Sequence, residues 1–286
     1  MRTFVITGGT DGIGKALALT YLKRGDEVAI IGRNAEKGAA LLDAATEFGA
    51  GDRAHFVLAD LSSIGETRTA IGAIRAEFPQ VDALVLCARF FRSTRSVTAE
   101  GFESNLALSY LNRFVLSYEM ADLLDAADAP VILNVAGPGS GGEIRWHDLG
   151  FAEGYDGTTA LMQSGPLNDL LGVGFAANAV PRKISYVLFH PGVVSTGFAG
   201  EYDAEMTRQI EALRTTAKPV EQAIVPMLAV LDEPPGEPLS AFLMGERISL
   251  DGPGFDPAAA ARLYATTTQL LASGFAAAES RDTQEY

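Results

Sequence analysis

The residues best placed to do chemistry lie near the N-terminus, where Thr7-Gly8-Gly9-Thr10-Asp11-Gly12-Ile13-Gly14 follows an apolar run and opens a helical pattern. A strand, then Gly-x-x-x-Gly-x-Gly, then a helix is what a dinucleotide pyrophosphate requires. Glycines let the backbone turn tightly and approach the phosphates, and the free N–H groups at the positive end of the helix complement their charge. Gly8, Thr10, Asp11, Gly12, Ile13 and Gly14 are the expected phosphate-side residues. The next apolar run ends at Ile31-Gly32-Arg33-Asn34. A site built for NAD carries an acid here for the ribose hydroxyls, whereas Arg33 offers a guanidinium to a 2′-phosphate, with Asn34 beside it. NADPH is the expected cofactor and NADH the second choice. Asp60 and Leu61, after the third run, are placed to meet the adenine.

Positioning these groups requires an alternating α/β chain. Short apolar runs recur at Phe4–Ile6, Glu27–Ile31, Ala54–Leu58, Ala83–Cys87, Val131–Val135, Ile184–Phe189 and Ala241–Met244. Helical periodicity fills the intervals: Ile13–Arg24, Ala35–Phe48, Ile64–Phe78, Thr98–Leu124, Thr158–Asn178, Pro219–Asp232 and Pro257–Phe275. This pattern predicts a Rossmann-like, doubly wound parallel sheet of seven strands with helices on both faces, one NAD(P)-binding domain over residues 1–286. The segment from Ser195 to Thr216 lacks a core pattern. Residues 195–240 are expected to form a lid or substrate-binding excursion.

Composition excludes several classes of partner. A net charge of −14, with no Lys/Arg run, opposes nucleic acid and anionic membranes. The chain opens directly into a strand pattern and has no uninterrupted apolar span of membrane length, so a soluble protein in the cytoplasm is expected. The single cysteine, Cys87, lies in an apolar run and reads as a small core residue. His55 and His190 lack metal-ligand spacing, so no metal is expected.

Three motifs in order resemble the short-chain dehydrogenase/reductase superfamily. TGGTDGIG (Thr7 to Gly14) is similar to its TGxxxGxG, Ala59-Asp60-Leu61 to its adenine motif, and HPGVVST (His190 to Thr196) to its PGxVxT. The resemblance implies that Pro191, Gly192, Val193 and Thr196 surround the nicotinamide amide, and that Cys87, Ala88 and Arg89 stand where the family's N-A-G contacts the cofactor.

The same register shows that the family's catalytic tetrad is missing. EGFESNLALSYLNRF (Glu100 to Phe114) places Ser109 at the Asn position, and VILNVAG (Val131 to Gly137) places Gly137 at the Ser position. ALMQSGPLN (Ala160 to Asn168) places Leu161 at the Tyr position and Gly165 at the Lys position. No Tyr-x-x-x-Lys can be drawn anywhere, because the residues four places before the five lysines are Asp11, Leu19, Arg33, Ala179 and Arg214. Leucine and glycine can neither donate a proton nor lower a phenol pKa, a contribution of about 10²–10⁴ in rate.

Replacement donors are Ser109, Ser164, Tyr155 and Tyr202, none with a sequence partner that would activate it. Ser109, Gly137, Leu161, Ser164 and Tyr202 also read as walls of an enlarged, apolar substrate pocket. These departures resemble an atypical branch of the superfamily that reduces ketones of polycyclic aromatic polyketides, angucyclinones among them. There the substrate's own hydrogen-bonded hydroxyl would take over from the missing acid. A redox-inert NADP-binding regulator or scaffold, and a non-redox cyclase or hydrolase on the same fold, remain the alternatives. Oligomeric state stays open.

Three further segments carry expectations. Pro166 falls inside a helix and predicts a kink. The arginine- and aromatic-rich Ala88–Arg95 reads as a loop beside the cofactor cleft, and Trp146-His147-Asp148 as loop packing.

Overall fold

A computed structural model of the chain describes residues 1–178 and 183–282. The main sheet holds β1 (Thr3–Thr7), β2 (Glu27–Gly32), β3 (Ala54–Leu58), β4 (Ala83–Leu86), β6 (Val131–Val135), β7 (Ser185–His190), β9 (Leu239–Leu243) and β10 (Glu246–Arg247). Their order is β10-β9-β7-β6-β4-β1-β2-β3. The short strands β5 (Phe91–Arg92) and β8 (Gly200–Glu201) pair separately, in parallel. All seven predicted strands are present. An eighth was not expected: Met244 and Gly245 take φ of +53° and +95° and return the chain antiparallel onto β9. Two consecutive residues with positive φ form the tight hairpin turn that matches strand twist.

Parallel strands are covered on both faces, which is why they read as continuous apolar runs. Alternate residues feed two cores. Val5, Ile31, Leu84 and Leu86 face α3 (Ile64–Glu77), α5 (Asn112–Glu119), α7 (Gly157–Asn178) and α11 (Pro257–Asp282). Phe4, Ile6, Ile30 and Val85 face α1 (Gly12–Arg24), α2 (Ala35–Glu47) and α10 (Val225–Asp232).

Three expected elements are corrected. The single helix over Thr98–Leu124 is broken: a loop runs to Glu103, whose buried carboxylate accepts from the N–H groups of Asn105 and Leu106 and starts α4 (Ser104–Leu106). A π-turn over Ala107–Leu111 then leads into α5, followed by α6 (Ala121–Asp125). Pro219–Asp232 divides into α9 (Val220–Ala223) and α10, because Pro226 has no N–H to continue the first helix. The patternless segment after β7 contains α8 (Ala204–Thr216), capped by Asp203. By contrast, α7 is one helix through Pro166. No helix among the described residues is long and apolar enough to cross a membrane.

Candidate active site

The order of strands reverses direction between β1 and β4, and their carboxyl ends form the crevice where doubly wound sheets bind ligands. Gly8 and Gly12 line it with φ of +65° and +49°. A Cβ on Gly8 would stand 2.8 Å from Cα of Ala88, and one on Gly12 2.8 Å from Cγ2 of Thr196. The fingerprint loop thus touches the segments that follow both β4 and β7. Asp11 caps α1 by accepting from the Gly12 N–H at 2.7 Å. Its other oxygen is held by Lys37, which keeps the carboxyl below its usual range. The remaining N–H groups of the first turn have no intrahelical acceptor, and no acid follows the cap to repel a phosphate.

On the β4 side, Thr7 Oγ1 accepts from the N–H groups of Cys87 and Ala88 at 3.0 and 3.1 Å. Burial pushes the Cys87 thiol up to about 12, so it stays protonated and inert. On the β7 side, the Gly192 N–H donates to Nδ1 of His190 at 3.1 Å, and Val193 and Ser195 pair through backbone with Lys218. Pro191, Gly192, Val193 and Thr196 therefore form a fixed turn against the fingerprint.

Arg33 projects at the far end, its guanidinium 4.0 Å from the centre of the Phe90 ring and 3.9 Å from Asp60. Arg92 lies 4.8 Å from the same ring. Asn34 Oδ1 caps α2 through the Lys37 N–H, while Leu61 is buried and Asp60 accepts from Ser62. The glycine cradle, the remaining free N–H groups of the first turn of α1 and the stacked arginine fit a phosphorylated dinucleotide.

Of the residues expected at the tetrad positions, the structure brings Gly137 and Gly165 together, with Ser140 and His190 beside them. A Cβ on Gly165 would fall 2.6 Å from Ser140 Oγ, so Ser140 fills the space from which a lysine would rise. A Cβ on Gly137 would lie 4.0 Å from Cδ2 of His190. Leu161 is half-buried one turn before Gly165 on α7. The four candidate hydroxyls are all occupied. Ser109 donates to the Asn105 carbonyl, Ser164 to that of Leu161, and Tyr202 to that of Phe198. Tyr155 receives the Asn105 amide and stands 3.1 Å from Glu103. Burial raises both phenols, with Glu103 adding to the effect at Tyr155. The one base in reach of any of them is the Glu103 carboxylate beside Tyr155, and its oxygens are already engaged by the N–H groups of Asn105 and Leu106.

A buried network that sequence reading missed lies beside these positions. Arg113 donates to Asn134 Oδ1 at 2.6 Å and to the carbonyls of Val135 and Ala88. Asn134 donates to Asn168 and to the Tyr186 hydroxyl, both at 2.9 Å. Asn168 then donates to the carbonyls of Ser109 and Ser164. The first of these carbonyls belongs to the π-turn over Ala107–Leu111. Asn168 and Arg113 gave no local signal, because all their partners except Ser164 lie on other elements or loops.

The loops pack as expected. Trp146 stacks under Arg262 at 4.2 Å, Asp148 accepts from the N–H groups of Ala152 and Glu153, and the segment Ala88–Arg95 lies along the crevice through β5.

Fold and crevice define a doubly wound α/β protein of the dinucleotide-binding class. Residues 2–143 match the short-chain dehydrogenase family model. The chain is 30% identical over 210 residues to a "Probable oxidoreductase" of Streptomyces lividans, spanning 72% of this chain and 69% of that one. It is 28% identical over 268 residues to "Putative daunorubicin C-13 ketoreductase DnrU" of a Streptomyces, spanning 92% and 90%. Human retinol dehydrogenase 12 is 30% identical over 68% of this chain, which spans 61% of its length. A solved short-chain dehydrogenase from Burkholderia cenocepacia, in complex with NADP, superposes with a TM-score of 0.64 at 22% identity, over 85% of this chain and 96% of that one. The chain belongs to the short-chain dehydrogenase/reductase family.

Proposed function

We propose that this protein is an NADPH-dependent ketoreductase that reduces a ketone on a polycyclic aromatic polyketide of the angucyclinone type, in antibiotic biosynthesis in the cytoplasm. The observation that carries the reading is a contrast within one crevice. The dinucleotide cradle and the turn at Pro191–Thr196 are built and packed together, while the tetrad positions hold Ser109, Gly137, Leu161 and Gly165. NADPH, held by Gly8, Gly12, Gly14, Arg33 and the Pro191–Thr196 turn, supplies a hydride. The NADP-bound relative supports the cofactor, and the relative named for a daunorubicin ketone supports a polyketide-related substrate.

With no activated hydroxyl in the crevice, the chain's contribution is orientation and exclusion of water. Proximity alone is worth about 7–11 kcal/mol when the reacting atoms are held in line. The substrate's hydrogen-bonded hydroxyl then polarises its own ketone. Residues 195–216 serve as the lid: the Phe91 N–H donates to the Ala199 carbonyl, and the Ser93 N–H to that of Glu201, strapping this segment to the loop beyond β4. The rest of the excursion expected over 195–240 is part of the fold instead, since α10 packs on the sheet and β9 opens at Leu239.

The decisive experiment is transfer of deuterium from 4-deuterated NADPH into a panel of polycyclic ketones. Label in the product alcohol is expected. Binding of NADPH without label transfer would leave a redox-inert binder, and product formation without NADPH a cyclase or hydrolase. The mechanism carries its own test. Ser109→Ala, Ser164→Ala, Tyr155→Phe and Tyr202→Phe should each keep kcat within about tenfold, since each hydroxyl is committed to the protein. A fall of about 10³ in any one would reveal a protein acid.

A further inference from the structure

Arg89 stands over the crevice without an acidic partner. Leu86 closes β4 in register with Thr7 of β1 and Asn134 of β6, so Arg89, three residues on, emerges above the carboxyl ends of all three strands. The preceding residue is fixed from both sides, the Ala88 N–H on Thr7 and its carbonyl on Arg113. The Arg89 side chain reaches solvent within the crevice, yet the protein around it is dense enough to lower its pKa.

The charges sort by position. At the adenine end every cation has an acid: Arg33 lies near Asp60, Lys37 pairs with Asp11, and Arg92 with Glu201. At the other end Arg89 and the buried Arg113 have none within ion-pairing distance among the described residues, in a chain with 36 acids and 22 Lys and Arg. The titratable groups whose fields meet Arg89 are Tyr202 from the strap, His190 from the end of β7, and Arg113 from α5. No carboxylate is among them. Burial first, then Arg89 and Lys218, hold His190 below its usual range and therefore neutral. An unopposed guanidinium among neutral or cationic groups is a site prepared for an anion.

We propose that Arg89 is a catalytic residue whose guanidinium donates hydrogen bonds to the substrate oxygens that become anionic as the ketone is reduced. The proposal rests on the ketoreductase reading above. Hydride adds to the carbonyl carbon and the C=O electron pair moves onto oxygen. That oxygen takes the proton of the neighbouring hydroxyl, which is replaced from water. Arg89 keeps its own protons throughout and stabilises the anion on whichever oxygen holds it. Charge stabilisation thus comes from the loop after β4 rather than from α7, where Leu161 and Gly165 supply none.

The test uses 1,8-dihydroxyanthraquinone, a planar polycycle whose phenols are hydrogen-bonded to a ketone and whose ionisation changes its colour. Bound to the full chain with NADP⁺, it should ionise about one pH unit lower than when free, the direction a nearby cation imposes. Arg89→Lys should keep part of that shift and Arg89→Gln should lose it. Arg89→Gln should also lower kcat for the labelled ketone by about 10²-fold at saturating NADPH. Arg89 makes no hydrogen bond or ion pair with the described residues, so neither variant breaks one.

An equal shift in wild type and Arg89→Gln would overturn the proposal. A tenfold loss of NADPH affinity with the shift intact would do the same, assigning Arg89 to the dinucleotide. Failure of wild type to bind the probe while deuterium transfer to another ketone persists would remove the polycyclic substrate and this role with it. Absence of both would remove the ketoreductase reading itself.

Discussion

Arg33→Asp should weaken NADPH binding by about two orders of magnitude while leaving NADH binding within a few-fold of wild type. Arg33 is stacked on Phe90 and only loosely paired with Asp60, at 3.9 Å, so its donors are free for a 2′-phosphate. A hydrogen bond to a charged group is worth about 1.5–3 kcal/mol, and each 1.4 kcal/mol is about tenfold in affinity. Reversal adds repulsion, since residue 33 and Asp60 would then both be anionic beside the phosphate. Arg33→Lys should lie between, because lysine keeps the charge and loses the planar stack. Titration of NADPH fluorescence measures both variants. Unchanged NADPH affinity in Arg33→Asp would remove Arg33 from the site.

Which features the sequence disclosed follows from where their causes lie. The strands were legible because sheets buried on both faces need continuous apolar runs, and β3 and β6 match their expected bounds. The fingerprint was legible because its glycines are demanded locally. The helix α8 was not, since Met206 is its only buried residue and no apolar stripe forms. The break at Glu103 was hidden because a buried carboxylate capping a short turn resembles any polar residue within a helical pattern. In the crevice, motif spacing pointed to Ser109, Gly137, Leu161 and Gly165, yet the packing of Ser140 against Gly165, the Asn134–Asn168 network and the isolation of Arg89 depend on separate loops meeting in space. A chain of net charge −14 gives no hint that one end of its crevice lacks acids.

The remaining large effect is a gain in stability. Asp169→Asn should leave stability near wild type at pH 4 and raise it by up to about 4 kcal/mol above pH 7. Asp169 lies on α7 with 1% exposure; one oxygen accepts from the Gly139 N–H at 2.9 Å, and the other has no partner among the described residues. Burial raises its carboxyl from the ordinary 3.8 to about 7, opposed only by that one hydrogen bond. Below pH 3.8 the folded and unfolded chains both hold the proton, and the buried group costs nothing through ionisation. As pH rises towards 7 the unfolded chain releases its proton while the folded chain retains it, so stability falls, at about 1.4 kcal/mol per pH unit. Above 7 the loss is complete. Asparagine keeps an acceptor for Gly139 without a titrating group, and its idle amide costs about what the idle acid proton costs in wild type. Urea unfolding at pH 5 and pH 8 should therefore show a gap between variant and wild type that widens with pH. A constant gap would mean that Asp169 titrates normally. The cost is tied to the crevice, because Gly139 belongs to the loop carrying Gly137, which packs beside Ser140 and His190. The variant should hold that loop at high pH at least as well as wild type, so its turnover at pH 8 should not fall along with the stability that wild type loses.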